Sequence, residues 1–386
     1  MRHRASAAAV LLGIASSACW SGRQEGERTK GASVGGGALI WSLPDGRGGT
    51  NELCRALACL PWLTAATHGR LVTGDFNGDR AVDVAREVDG GIVVSIGSGS
   101  GFRELAARRS AARDRLGAQL LPLGDVDGDG RHDVLALVID APPTEGHPKV
   151  LPRARAPQLV LLRGTPDGLA PPEPLVSLDG WWSDLRIAVG DLDGDRRPDV
   201  ALAGVRYEKE PVLAGLRGKP GGLETAFSWS FPARGVMDRI AIADMDGDGI
   251  GDLLAFGTGS APSSWSRWPG GPGGPQSDRR QTWADPSGKR QSWFAGVAAV
   301  GQFDGNTVEA AVSALGVRTI FIYRAGSSKP DREIASGTSA DFGEALAAVD
   351  LNADGRDELV VFASSEVLAF TGARADAVLA RQPRSP

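Results

Sequence analysis

Cysteine, histidine, tyrosine and methionine are scarce in this 386-residue chain, at three, four, two and three residues. Three cysteines are too few for a disulfide-built scaffold. Four histidines (His3, His68, His132, His147) are scattered, and none lies near a plausible nucleophile in sequence, so they read as turn or surface residues. Net charge is a modest −5, with no basic stripe interleaved with aromatics, which argues against a nucleic-acid partner. Apolar runs long enough to cross a membrane are missing. Helix-forming composition is confined to ELAARRSAARDRLG at 104–117, read as a loop or single turn, so helix content is expected to be low. The glycines of GSGSG at 97–101 open no helix and carry no Gly-Lys-Ser/Thr ending; they predict a strand-end turn and not a phosphate cradle.

What the chain has in abundance is glycine and a repeated acidic phrase. Five copies place oxygens at positions 1, 3, 5 and 9: Asp75, Asn77, Asp79, Asp83; Asp125, Asp127, Asp129, Asp133; Asp191, Asp193, Asp195, Asp199; Asp244, Asp246, Asp248, Asp252; and Asp350, Asn352, Asp354, Glu358. A degenerate sixth copy runs from Gln302 through Asp304 and Asn306 to Glu309, one residue shorter. Carboxylates this close repel one another unless a cation compensates them. Alternate positions curl oxygens around one centre, and a backbone carbonyl at position 7 can join them. Such an all-oxygen shell suits Ca²⁺ better than Mg²⁺, which keeps its waters. Zinc is disfavoured because His132 is the one nitrogen or sulfur donor within the repeated positions. Gly78, Gly128, Gly194 and Gly247 at position 4 permit the sharp turn.

An EF-hand shares the first half of this pattern but needs a bidentate Glu at position 12, where this chain has Arg86, Ala136, Leu202 and Ala255. The flanks, LRIAVGD and PDVALAGV or RIAIAD and GDLLAF, are short and apolar, and predict that each loop joins two strands. The phrase "strand, D-x-D/N-G-D-x-x-x-D, strand", with VSIGSGSGF at 94–102, LVLLRGTPDGL at 159–169 and VLAFTG at 367–372, resembles the FG-GAP or VCBS-type repeat of integrin α-subunit propellers and many secreted bacterial proteins. The likeness covers residues 70–375 or thereabouts and implies an all-β propeller with calcium loops between strands. Loops starting at 75, 125, 191, 244, 302 and 350 recur with a period of about 55 residues, enough for a blade of four strands. Strands after the loops are apolar on both faces, as stacked blades require. Six blades are favoured over seven, with residues 36–70 held in reserve as the closing strand of a sixth blade or most of a seventh.

Residues 1–18 read as a signal peptide, with the basic start MRHR, the apolar stretch ASAAAVLLGIASSA and small residues before Cys19. Cleavage there resembles processing at a bacterial lipoprotein box with Cys19 lipidated, although Ser16 departs from the usual leucine and leaves ordinary signal cleavage open. Residues 19–36 are polar and glycine-rich, a flexible tether, and 37–386 are expected to form one propeller domain. In an exported chain Cys54 and Cys59 are expected to form a disulfide in preference to holding zinc, since no second pair exists. Localisation is then the cell envelope, as a lipoprotein, or the secreted fraction, with membrane contact only through the anchor.

No catalytic constellation emerges, so the expectation is a non-enzymatic binding or adhesion module for a protein or carbohydrate at the cell surface. Two alternatives stay open: a secreted glycan lyase or hydrolase working in the propeller channel, weakened by having only Tyr207 and Tyr323, and a purely structural envelope protein. Two insertions draw attention: the proline-rich, basic 140–158, and 257–293, which carries Trp265, Trp268, Trp283 and Trp293. On exposed loops those indoles would stack on sugars or anchor a partner; otherwise they pack on their own propeller. Trp181 and Trp182 are read as blade-packing residues.

Overall fold

The computed structural model describes residues 71–383, apart from short stretches that include 141–155, 207–210, 258–263, 337–341 and 350–355. The expected signal peptide, tether, Cys19, Cys54 and Cys59, and the bulk of the 140–158 insertion lie outside the described residues. Six antiparallel sheets of four strands in chain order, the first with one short strand added, follow one another along the described residues as the blades of a six-bladed β-propeller. Among the described residues there is no α-helix, only three short 3-10 turns.

The chain divides into two compact units. In the first, residues 68–190 with 196–233, blade 1 comprises Leu71–Gly74, Asp83–Val88, Gly91–Ser98 and Gly101–Glu104. Blade 2 comprises Asp114–Gly124, Asp133–Asp140, Gln158–Leu162 and Glu173–Ser177, and blade 3 comprises Trp181–Gly190, Asp199–Arg206, Pro211–Leu216 and Trp229–Pro232. The other unit holds residues 234–386 with 191–195. Its blade 4 comprises Arg239–Ala243, Asp252–Gly257, Ser264–Trp268 and Gln281–Ala284. Blade 5 comprises Phe294–Gly301, Glu309–Ala314, Thr319–Arg324 and Arg332–Ala335, and blade 6 comprises Ala345–Val349, Glu358–Phe362, Glu366–Phe370 and Val378–Pro383.

Each blade is a meander in chain order, so the acidic loop always falls between its first and second strands. Blade 6 takes its fourth strand from Val378–Pro383; residues 36–70, held in reserve as a closing strand or a seventh blade, lie outside the described residues. Residues 104–117 also differ from expectation: Arg108–Arg109 pairs with the third strand of blade 1, and Asp114 opens blade 2.

The second strand shows why its sequence is apolar throughout. Side chains of a strand alternate between its two faces. In blade 2, Val134, Ala136 and Val138 pack with Ile92 and Val94 of blade 1, while Leu135 and Leu137 pack with Leu202 and Ala214 of blade 3. In blade 5, Ala310 and Val312 pack with Leu254 and Phe256 of blade 4, while Ala311 packs with Leu346 and Leu359 of blade 6. A sheet covered on both faces leaves no polar face to encode, and the second strands of blades 4 and 5 are buried at every position.

The 257–293 segment is the main correction. It is no insertion: it contributes the third and fourth strands of blade 4. Trp265, Trp268 and Trp283 are buried, not offered to a ligand, and only Trp293 is exposed, at 62%. Trp265 and Trp283 are strand partners, stacked with centroids 4.0 Å apart, and Tyr323 of blade 5 meets Trp265 edge-on at 5.3 Å. An indole stack of this size buries more apolar surface than any aliphatic pair, which accounts for its place between two blades.

Candidate metal centres

The loop backbone is organised by the loop's own acids. Asp125 at position 1 accepts from the N–H groups of Gly128 at 2.8 Å, Asp129 at 3.0 Å and Gly130 at 2.9 Å. Asp244 does the same for Gly247, Asp248 and Gly249. Position 3 accepts from the N–H of position 5, and position 5 from that of position 7, as Asp129 does from Arg131 at 2.9 Å. Short polar side chains bonding forward to their own backbone are what fold an Asx-type turn. Position 4 falls in the left-handed region in every described copy, with φ of 80° at Gly78 and 81° at Gly128.

Position 9 is different. It begins the second strand and is buried: Asp83 and Glu358 are 0% exposed, Asp133 and Asp252 1% and Asp199 2%, and Glu309, the last acid of the shorter loop, is 0% exposed as well. Both oxygens of Asp83 are bonded to backbone, one accepting from Phe76 N at 2.8 Å, the other from Gly97 N at 2.8 Å. Asp133 repeats this with Val126 and Gly164, Asp252 with Met245 and Gly270, and Asp199 accepts from Gly218. The last acid therefore ties the start of its loop to the exit of the third strand. A carboxylate oxygen has a second lone pair, so this leaves room for a cation. Burial pushes the Asp83 carboxyl up to about 6, against the two N–H donors that favour its charged form, with Asp79 and Asp75 raising it further. Burial likewise pushes Asp133 up, against the N–H groups of Gly164 and Val126.

Two recurring positions were not singled out from the sequence. Position 2 is apolar in every copy, and Phe76, Leu192, Met245 and Phe303 are buried beneath their loops. The glycine at the end of the third strand (Gly97, Gly164, Gly218, Gly270) donates to the last acid, and Gly164, Gly218 and Gly270 also press on loop backbone. A Cβ on Gly164 would lie 2.8 Å from His132 O and 2.9 Å from Phe76 O. Successive loops are also stitched together: position 8 donates its N–H to the position-1 carbonyl of the loop before, as His132 does to Asp75 at 2.7 Å, Gly251 to Asp191 at 2.6 Å and Asp357 to Gln302 at 3.0 Å. The loop of blade 3 has Pro198 at position 8 and lacks the N–H to do so.

Three loops bring three carboxylates together with ligand atoms within 4.8 Å of one another: Asp125, Asp127 and Asp133; Asp191, Asp193 and Asp199; Asp244, Asp246 and Asp248. These are all-oxygen groups that could hold a divalent cation. Asp129 and Asp195 stay outside their groups, and in blade 4 the position-9 acid Asp252 is left out. The reason there is Arg267, buried in the third strand, whose Nε donates to Asp252 at 2.7 Å and whose terminal nitrogen reaches both Asp252 and Asp246. In blade 2, Arg163 pairs with Asp127 at 2.8 Å. In blade 1, Asn77 donates its amide to Asp79 at 2.9 Å, and Asp75, Asp79 and Asp83 form no such close group. Of the last copy's four oxygen positions only Glu358 is described; Asp350, Asn352 and Asp354 lie outside.

The FG-GAP repeat profile matches residues 342–378, which span the first three strands of blade 6 and its loop. No curated protein matches the chain significantly. Among solved structures, the chain is similar to an Agrocybe aegerita lectin described for specific recognition of non-reducing terminal N-acetylglucosamine, with 14% identity, TM-score 0.52, and 81% of this chain and 79% of the lectin covered. It is also similar to the Bacillus licheniformis rhamnogalacturonan lyase PL11 (16%, TM-score 0.39, 78% and 55% covered) and to the exotype rhamnogalacturonan lyase YesX (15%, 0.41, 81% and 56%). At 14% identity the likeness to the lectin speaks to fold alone. The sheets described above and the profile match together show that the chain is a six-bladed β-propeller carrying an FG-GAP repeat at residues 342–378.

Proposed function

We propose that the chain is an exported, calcium-stabilised propeller that acts as a binding module for a protein or carbohydrate at the cell surface and carries out no catalysis. The observation that carries the metal half is the convergence of three carboxylates in each of three loops whose backbones are already folded around them. The donor set is oxygen throughout and rich in carboxylate, the chemistry Ca²⁺ selects. Asp125, Asp127 and Asp133, Asp191, Asp193 and Asp199, and Asp244, Asp246 and Asp248 would hold the ions. Bound calcium would supply positive charge that offsets the repulsion among these acids and fastens the first strand of a blade to its second.

The binding half rests on the sequence of the N-terminus and on the loop-bearing propeller; a lectin of this fold makes a sugar the first ligand to try. The test is equilibrium dialysis with ⁴⁵Ca alongside a glycan array run with and without calcium. Wild type should retain calcium, Asp193→Ala should bind about one ion fewer, and array signals should need calcium. Undiminished binding by Asp193→Ala would remove that loop as a site, and turnover of an arrayed glycan would replace the module with an enzyme.

A further inference from the structure

In the loop of blade 5 the remaining acids are paired with arginine. Its first position is Gln302 and its fifth Asn306, so two of the acids found in the other loops are gone. The two that remain, Asp304 and Glu309, are each met by guanidinium. Glu309 is fully buried; its Oε1 accepts from Arg324 Nε at 2.9 Å and from Arg332 at 2.7 Å, and its Oε2 accepts from Arg332 at 2.7 Å. A second nitrogen of Arg324 donates to Asp304 Oδ2 at 2.7 Å. Asp331 flanks the pair, 3.6 Å from Arg324 and 4.0 Å from Arg332. Register makes this possible, since Arg324 lies directly opposite Glu309 across the sheet and Arg332 sits opposite Ile322, one strand further.

A buried carboxylate is costly unless paired, and a planar guanidinium can bridge two carboxylates that a point charge could only approach. We propose that Arg324 and Arg332 are the resident cation of this loop: they supply the positive charge that a divalent ion supplies elsewhere, and blade 5 is thereby a metal-independent joint. The other blades show intermediate stages. Arg163 covers one acid of a loop that keeps three others, and Arg267 bridges Asp246 and Asp252 of blade 4 while Asp244 and Asp248 still converge with Asp246. In blade 5 arginines hold both acids that remain, Asp304 at the third position and Glu309 at the end of the loop. The proposal rests on the calcium reading for its contrast with the other loops, though not for the pairing itself.

The experiment is hydrogen exchange on the full chain in calcium chloride and in EDTA, with melting curves of Glu309→Gln in both. Segments 125–133 and 191–199 should exchange faster in EDTA, while 302–309 should be unchanged. Glu309→Gln, which leaves two guanidiniums facing a neutral amide, should lower Tm by about 5–15 °C, equally in both buffers. Faster exchange at 302–309 in EDTA, or a Glu309→Gln loss confined to calcium, would overturn the proposal. If no segment responds to EDTA the calcium reading fails, while an equal Glu309→Gln loss in both buffers still upholds the arginine pairing. Should Glu309→Gln fail to fold, the exchange of segment 302–309 in the wild type decides alone.

Discussion

Glycine is used in these loops in two physically different ways, and substitution separates them. Gly128 sits at φ 81°, yet an added Cβ would meet nothing within 4 Å. Gly128→Ala should therefore cost only the left-handed backbone penalty, about 1–2 kcal/mol. Gly164 shows no positive φ, but its Cβ would fall at 2.8–2.9 Å from two backbone oxygens, neither of which can swing away. Gly164→Ala should cost more, because loop backbone has to move and the N–H bond to Asp133 stretches with it. Arg80 and Arg196 occupy the left-handed region at position 6, where Gly130 and Gly249 stand in the neighbouring copies. Arg80→Gly should be neutral or stabilising by up to about 1 kcal/mol, strain relief set against the freer unfolded chain. Urea midpoints of the three variants check the order; a Gly164→Ala milder than Gly128→Ala would contradict the contact geometry.

At the scale of strands and loops, the sequence was most legible where a physical demand repeats. Acids on alternate positions, a glycine at position 4 and apolar strands on either side are each required by the turn or by burial on two faces, so loops and first and second strands could be read directly. The third and fourth strands of blade 4 were hidden because Ser264–Trp268 reads SWSRW, with serine and arginine where a buried strand normally carries aliphatics. Arg267 is tolerated there because it has Asp246 and Asp252 to pair with, a reason that exists only once the strands are paired. The signal that could have found it is the arginine near the end of the third strand that recurs as Arg163-Gly164 and Arg217-Gly218. The tryptophans follow the same logic. Trp283 is 5% exposed, stacks on Trp265 and donates its Nε1 to Ser327 O at 2.6 Å, so Trp283→Ala should cost about 3–5 kcal/mol. Trp293, at 62% exposure, should change stability by no more than about 0.5 kcal/mol when replaced by alanine. Chemical denaturation of the two variants compares them, and equal losses would contradict the packing described for blade 4.

For the molecule as a whole, the buried position-9 acids tie metal and proton together. The Asp83 carboxyl is raised to about 6 and that of Asp133 is raised as well, both by burial, so the folded, ion-free protein holds these protons more tightly than the unfolded chain does. The contribution of Asp83 to stability is therefore greatest below the unfolded value near 4 and is lost as pH rises through the folded value near 6, and that of Asp133 is lost in the same direction. A cation reverses the sign, because it requires the deprotonated acid and competes with the proton. Stripped of divalent ions, the protein should melt at a lower temperature at pH 6.5 than at pH 4.5, once the general effect of pH is corrected with a variant such as Asp83→Leu. With about 1 mM calcium, each site of the extracellular affinity class would add roughly 0.4–1.4 kcal/mol at neutral pH. The three carboxylate groups together would then add roughly 1–4 kcal/mol, a few degrees to some ten degrees in Tm. The gap between calcium-loaded and ion-stripped melting curves should widen steadily from pH 4.5 to 7. Scanning calorimetry across that range checks it: a gap that is constant with pH, or absent at pH 7, would mean that the buried carboxylates serve only to hold strands and that no cation shares them.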